Sequence, residues 1–254
     1  MKEHLIQVKT MSDRAIQSFM RCPCEFYHNE FAKRKSSLNW KQVVQAAVNQ
    51  VVKHYYETPV NQRTSLTVLK LIDRNWDKIE VSLFHSKAHY YEILAVVSDH
   101  LLQSLGKHSS AEQPLMLQEK HHVYLNELDA HLALHFEVAE WSENSFRVRK
   151  FLVDENVGFV QLFKQMVIVF SQNAFNRLPE CIEVDSLLNG NSYTFYPQAC
   201  DYDKALEDIK MIKGAFANFH SYKPGMQGEH CTYCPVQEDC QAAPQAEERP
   251  VFYM

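Results

Sequence analysis

Nowhere do the 254 residues contain an apolar run near the roughly 20 needed to cross a bilayer, so no membrane span is expected. The opening "MKEHLIQVKTMSD" lacks the apolar stretch and small-residue cleavage site of a signal peptide, and the chain reads as cytoplasmic. There is no internal repeat and no low-complexity segment, which excludes a solenoid and a compositional linker. An excess of positive charge is also missing. With 26 Lys and Arg against 31 Asp and Glu, the formal charge of −5 argues against a broad nucleic-acid-binding surface, although a local basic groove survives such an average.

What remains is an ordinary globular composition, 46% apolar and 22% charged, read as one domain over 1–254. The first hundred residues carry helical periodicity. "SDRAIQSFMR" opens on the N-cap residue Ser12 and is interrupted at Pro23. "WKQVVQAAVNQVVKHYYET" places Val44, Ala47, Val48, Val51, Val52 and Tyr55 on one face, and two more helices continue to about residue 108, a helical insertion over about 40–108. After the polar break "GKHSSAEQP", the segments "LMLQEKHHVYL", "DAHLALHFEVAEW" and "FRVRKFLVDE" read as three consecutive antiparallel strands. A helix in "FVQLFKQMVIVFSQNAFN", a strand pair across "NGN" and a long helix from Asp201 to about Tyr222 complete the order. "RVRK", 147–150, reads as a solvated strand, and Glu155 as facing solvent. His54, His121, His122, His131 and His135 read as surface or half-buried residues.

Seven cysteines in a reducing compartment read first as metal or cluster ligands. Cys181 and Cys200 stand alone and read as packing residues. "CTYCPVQEDC", inside a Cys-rich segment at 228–242, supplies Cys231, Cys234 and Cys240, one ligand short of the four that zinc or an iron–sulfur cluster takes. "RCPCEF" offers Cys22 or Cys24 for the fourth. Joining the two ends would close a loop of about two hundred residues, which stabilises a fold in the chain-entropy model. The alternative is a zinc knuckle made from the C-terminal segment alone with His230, although side chains of adjacent residues diverge.

"SFMRCPCEFYHNEF" and "CTYCPVQEDC" together resemble the paired cysteine elements of the iron–sulfur branch of PD-(D/E)XK nucleases, the RecB-like nuclease domain of AddB-type subunits and the CRISPR adaptation nucleases. The resemblance spans nearly the whole chain. It implies a restriction-endonuclease-like α/β core, a mixed sheet flanked by helices, with Cys22, Cys231, Cys234 and Cys240 holding a structural [4Fe-4S] cluster and Cys24 a spare neighbour.

The same resemblance implies the catalytic positions. The family's G-x-x-x-H helix meets "QAAVN", which offers Gln45 and Asn49. The G-x-x-D element meets "NELD", which keeps Asp129. V-D-Y-K-T-G meets "VDENVG", with Asp154 at the acidic position and Asn156 where lysine belongs. Q-x-x-x-Y meets "QMVIV", with Gln165 kept and Val169 for tyrosine.

Phosphodiester hydrolysis needs a carboxylate-held divalent ion and a positive charge near the nucleophile, and Asn156 cannot supply that charge. Lys150 shares a strand face with Asp154 but lies roughly 13 Å along it, and Lys164, beside Gln165, is the better-placed substitute. The expectation is therefore a catalytically impaired nuclease relative, a pseudoenzyme working in DNA processing or repair as a module that binds DNA, a helicase or another protein subunit. The alternative is an active exonuclease or endonuclease in which Asp129 and Asp154 bind Mg2+ or Mn2+ and Lys164 replaces the usual lysine.

Overall fold

Ser12 caps the first helix as its residue type predicts. The computed structural model describes residues 8–30, 39–107 and 113–218, together with Tyr222, Cys231, Cys234 and Cys240. A short strand β1 (Thr10–Ser12) runs into α1 (Asp13–Arg21), and the Ser12 hydroxyl accepts from Ala15 N at 3.1 Å. Pro23 does not end the helical region. It starts a second helix, α2 (Pro23–Glu30), where a proline loses nothing by lacking an N–H. Cys22 is the junction.

Three longer helices follow: α3 (Trp40–Glu57), α4 (Ser65–Trp76) and α5 (Lys87–Lys107). Asn39 and Gln42 cap α3 reciprocally, each side chain bonding the other's backbone N–H. Then come β2 (Met116–Leu125), β3 (Ala130–Trp141), β4 (Phe146–Leu152), α6 (Val157–Phe175), β5 (Cys181–Ser186), β6 (Ser192–Phe195) and α7 (Tyr202–Ala217). The three expected antiparallel strands are present. The last helix stops at Ala217, short of Tyr222, with Asn218 N–H bonding back to the Gly214 carbonyl at 3.1 Å. At the "NGN" turn Gly190 has φ +72°, and a Cβ there would lie 2.6 Å from the His100 ring, so the turn requires glycine on two counts.

The six strands form one mixed sheet. β3 is its pivot. β2 pairs antiparallel along nearly the whole of one β3 edge, from Leu125↔Ala130 to Met116↔Ala139. The other edge is divided: β4 pairs with Val138–Trp141, and β1 pairs parallel with His131–Ala133. β5 joins β4 in parallel and β6 closes that side antiparallel.

Two apolar cores lie on opposite faces. On one, Ile16 and Phe19 of α1, Phe163 and Met166 of α6, and Ile209 and Phe216 of α7 pack with Leu132, Leu134, Phe136, Val148, Ile182 and Val184. On the other, α3, α4 and α5 pack around Val48, Val52, Ile72, Trp76, Val97 and Leu101 and meet the sheet through Val138, Phe151, Val153 and Leu187. Each such side chain contributes about 1.5–3 kcal/mol by leaving water. α6 is apolar on nearly every face because the sheet covers one side and α7 the other.

The strand "RVRK" departs from its expected solvation: Arg149 is 1% exposed and Lys150 4%. Arg149 points into the α3–α5 layer, donates to Tyr56 Oη at 2.9 Å and to the Ser104 carbonyl at 3.0 Å, and forms an ion pair with Glu183 at 3.1 Å. It fastens that layer to the sheet, which a buried cation achieves only because acceptors surround it. Of the isolated cysteines, Cys181 is buried as expected, whereas Cys200 is exposed.

Candidate functional site

The sheet opens where β3 and β4 part. Their ladder ends at Val138↔Arg149, and apolar alternation along β3 changes phase there: Leu132, Leu134 and Phe136 face the α6 layer, while Val138 faces α3–α5. Gln118, opposite Glu137 on β2 by register, adopts φ +54°, a conformation most side chains avoid.

Three charged side chains fill the opening. Lys150 Nζ lies 3.1 Å from Asp13 Oδ2 and 3.1 Å from Glu137 Oε1, and all three residues are buried. Burial by itself would drive the proton off Lys150, but Glu137 and Asp13 outweigh it and raise its pKa. Each carboxylate also replaces a missing strand partner. Glu137 accepts Phe151 N–H at 2.8 Å and Asp13 accepts His135 N–H at 3.3 Å. Burial lowers the pKa of the His135 imidazole, with Lys150 adding to the effect and Glu137 opposing it.

Beyond the opening, α3 completes the end of β4 with side chains. Gln45 Nε2 donates to the Phe151 carbonyl at 2.8 Å, and Gln45 Oε1 accepts Val153 N–H at 2.8 Å. One amide thus does what a neighbouring strand would do on that edge. Asn49 Oδ1 holds the Gln45 amide at 2.9 Å, and one turn the other way Lys41 Nζ meets Asp154 Oδ1 at 2.6 Å. Positions 41, 45 and 49 form one helical stripe laid along residues 151–154. This stripe gives Gln45 and Asn49 a structural role at the end of β4. Lys41 and Asp154 are each more than a third exposed, so their ion pair is in contact with solvent.

The remaining expected site residues have other partners. Asp129 stands before β3 at φ +43° and accepts Tyr124 Oη–H at 2.6 Å, a bond that raises the tyrosine pKa. Gln165 donates to Asp208 on α7 at 3.0 Å, and Lys164 lies 5.3 Å over the Phe195 ring of β6. Both sit in the layer opposite α3. None of these contacts joins Asp129, Gln165 or Lys164 to Asp154. Asn156, at the lysine position, is the N-cap of α6, its Oδ1 accepting Phe159 N–H at 2.9 Å. Val169 is fully buried in α6. Glu155 is half-buried rather than solvated, taking bonds from Asn189 and Asn191 at 2.9 Å each and from the Tyr193 hydroxyl; burial works against its ionisation, but these donors outweigh it and lower its pKa. Among the described residues no three His, Cys, Asp or Glu side chains converge as a metal site.

Sequence reasoning passed over Asp13, Glu137 and Lys41, and it weighed Lys150 only as a substitute catalytic lysine. A signal existed for the first two. Asp13 lies on the buried side of a short amphipathic helix, and Glu137 interrupts "LALHFEVAEW", where an acid must find a partner.

Elsewhere, α1 and α2 meet the segment that follows α7. Phe216 of α7 lies 4.6 Å from Phe19 and 5.2 Å from Phe26, and Tyr222 lies 5.4 Å from Tyr27, ring centre to ring centre. The same approach brings Cys22 and Cys24 into the electrostatic neighbourhood of Cys234 and Cys240, although no three metal-ligating side chains converge there among the described residues. Cys24 shares a hydrogen bond with Cys240, and both Cys22 and Cys24 interact with Cys234 and Cys240. Cys22 Sγ accepts Glu25 N–H at 3.5 Å at the start of α2, and Cys234 N–H donates to the Cys231 carbonyl at 3.2 Å. Burial, followed by the neighbouring acids and thiols, raises the Cys22 pKa; burial and the bond to Cys240 raise that of Cys24. The donor chemistry suits a thiophilic metal or cluster, since soft sulfur ligands from four cysteines are what such groups take. The stretches 223–230, 232–233 and 235–239, including His230, lie outside the described residues.

No family model matches the chain, and no curated protein matches its sequence. Its structure resembles the crystal structure of a "putative exonuclease" from Eubacterium rectale, with a TM-score of 0.50 and 11% identity over 96% of this chain and 91% of that one. The likeness is one of fold, here a mixed sheet flanked by helices.

Proposed function

We propose that this chain is an iron–sulfur protein of DNA processing, built on a nuclease-like fold and impaired in catalysis, and that it works as a binding module for DNA or for a protein subunit such as a helicase. The observation that carries the impairment is the commitment of Asn156. At the position where the nuclease motif needs an ammonium, the side chain caps α6, and the acid two residues before it is neutralised by Lys41. A divalent ion at Asp154 would first have to displace that ammonium. The cluster is structural in this reading. It fastens the two ends of the chain, where the aromatic contacts already converge.

One observation favours a second reading. Lys41 is an exposed ammonium directly on Asp154, the relationship a relocated catalytic lysine would have, although it comes from α3 and not from Lys164 on α6. Cleavage of single- and double-stranded DNA with Mn2+ decides between the two, comparing wild type with Asp154→Ala and Lys41→Ala. Under the first reading none of the three proteins cleaves. Cleavage by wild type that both substitutions abolish establishes the second.

A further inference from the structure

The three charged groups at the opening of the sheet hold the parts of a chemical reaction as well as an ion pair. Lys150, Asp13 and Glu137 are 4%, 4% and 3% exposed. Lys150 Nζ donates to Asp13 Oδ2 at 3.1 Å and to Glu137 Oε1 at 3.1 Å, and the Phe163 ring covers it at 4.8 Å. An amine and a carboxyl group held at that spacing away from water are the reactants of an amide, and the fold removes the entropy cost of bringing them together. The third group is a carboxylate placed to carry protons between them. The far oxygen of each acid meets the backbone: Glu137 Oε2 accepts Phe151 N–H at 2.8 Å, and Asp13 Oδ1 accepts His135 N–H at 3.3 Å. The tighter hold keeps Glu137 as the base. Asp13, more loosely held, is the acid to be attacked, with the His135 N–H facing the oxygen on which charge then develops.

We propose that Lys150 and Asp13 are a self-modification site, joined by an intramolecular isopeptide bond that forms with Glu137 as general base. Burial favours the neutral amine, but Glu137 and Asp13 outweigh it, and Lys150 rests as the ammonium. The reactive state is reached when one proton passes from Nζ to Asp13 Oδ2 along their hydrogen bond, a shift that leaves the total charge of the three groups unchanged. The Nζ lone pair then attacks Asp13 Cγ and the C–N bond forms. Glu137 takes one of the two remaining Nζ protons and passes it to Oδ2–H. The Cγ–Oδ2 bond breaks, water leaves, and Oδ1 becomes the amide carbonyl, with Glu137 again a carboxylate. No oxidant, metal or partner enters the balance. A dry surrounding opposes the reverse reaction, since hydrolysis needs water in the site. The product ties α1 to β4 across 137 residues of chain, a length of loop whose closure favours the folded state.

The test is the mass of the full wild-type chain, denatured after incubation of the folded protein at neutral pH, so that no variant need fold. The chain is expected to be lighter than its sequence by one water. Trypsin should then release a branched peptide in which "TMSDR", residues 10–14, is attached through Asp13 to Lys150 of "KFLVDENVGFVQLFK", residues 150–164, with cleavage after Lys150 lost. Glu137→Gln, which keeps the shape and removes the base, and Lys150→Arg, which keeps the charge and removes the amine, are expected to retain the full mass. An ion triad without the reaction moves none of these readouts. Wild type at full mass, yielding the two peptides separately, overturns the proposal. Loss of one water with the branch on Glu137, in residues 121–147, overturns Asp13 as the acceptor, and a bond formed equally in Glu137→Gln overturns the role of the base.

Discussion

Asn156 meets a local structural demand at the start of α6. An asparagine before a helix is among the best N-caps, because its side-chain oxygen satisfies an N–H that the helix leaves open. Lysine at that position offers no acceptor. Asn156→Lys, which rebuilds the nuclease motif in sequence, is therefore expected to lower stability by about 1 kcal/mol and to create no DNA cleavage. Thermal unfolding and the Mn2+ assay check the two halves, and a variant that gained cleavage would show the lost lysine to be the whole defect. Lys150 makes the complementary point. It is a lysine close in sequence to the motif, but it lies between two buried carboxylates at the opening of the sheet. Removing it would leave two acids facing each other without a counter-charge.

At the scale of elements, α3 acts as a substitute strand. The end of β4 continues beyond its ladder with β3, and its exposed N–H and C=O groups must be satisfied. Gln45 satisfies two of them, Asn49 orients Gln45, and Lys41 reaches the acid just beyond. Gln45→Ala leaves the Phe151 carbonyl and the Val153 N–H unpaired, at a cost of about 1–3 kcal/mol each where they stay dry. Hydrogen exchange at the Val153 amide is expected to quicken in this variant while exchange within β5 stays slow. Unchanged protection at Val153 would mean that Gln45 is incidental to the strand end.

For the whole molecule, aromatic rings join segments from near the two ends of the chain. Phe19, Phe26, Phe216 and Tyr222 form a continuous aromatic contact between α1, α2 and the C-terminal segment, and the Tyr222 hydroxyl donates to the Phe216 carbonyl at 2.6 Å. Stripping metal from the thiols is thus expected to bleach any visible absorbance yet leave the far-UV circular dichroism of the folded chain. Phe216→Ala is expected to cost about 3–5 kcal/mol with or without metal, because it removes the ring on which the others pack. Collapse of the dichroism on metal removal would show that the thiols, and not the rings, hold the ends together.

The sequence by itself determined most of the elements: the Ser12 cap, the α3 face, three antiparallel strands, the glycine turn and the long final helix all follow from residue type and spacing. It also placed cysteines at both ends. The tertiary structure decided which side chains meet. Asp154 and Lys41, 113 residues apart, touch because α3 lies along the end of β4. Asp13 and Lys150, 137 residues apart, touch because β1 occupies the edge of β3 that β4 leaves. Asp129 and Gln165, matched to one motif set, and Lys164, the candidate substitute lysine, have separate partners. A periodic pattern encodes the face a residue presents along its own element, and the crossing of two elements is fixed only when their cores pack.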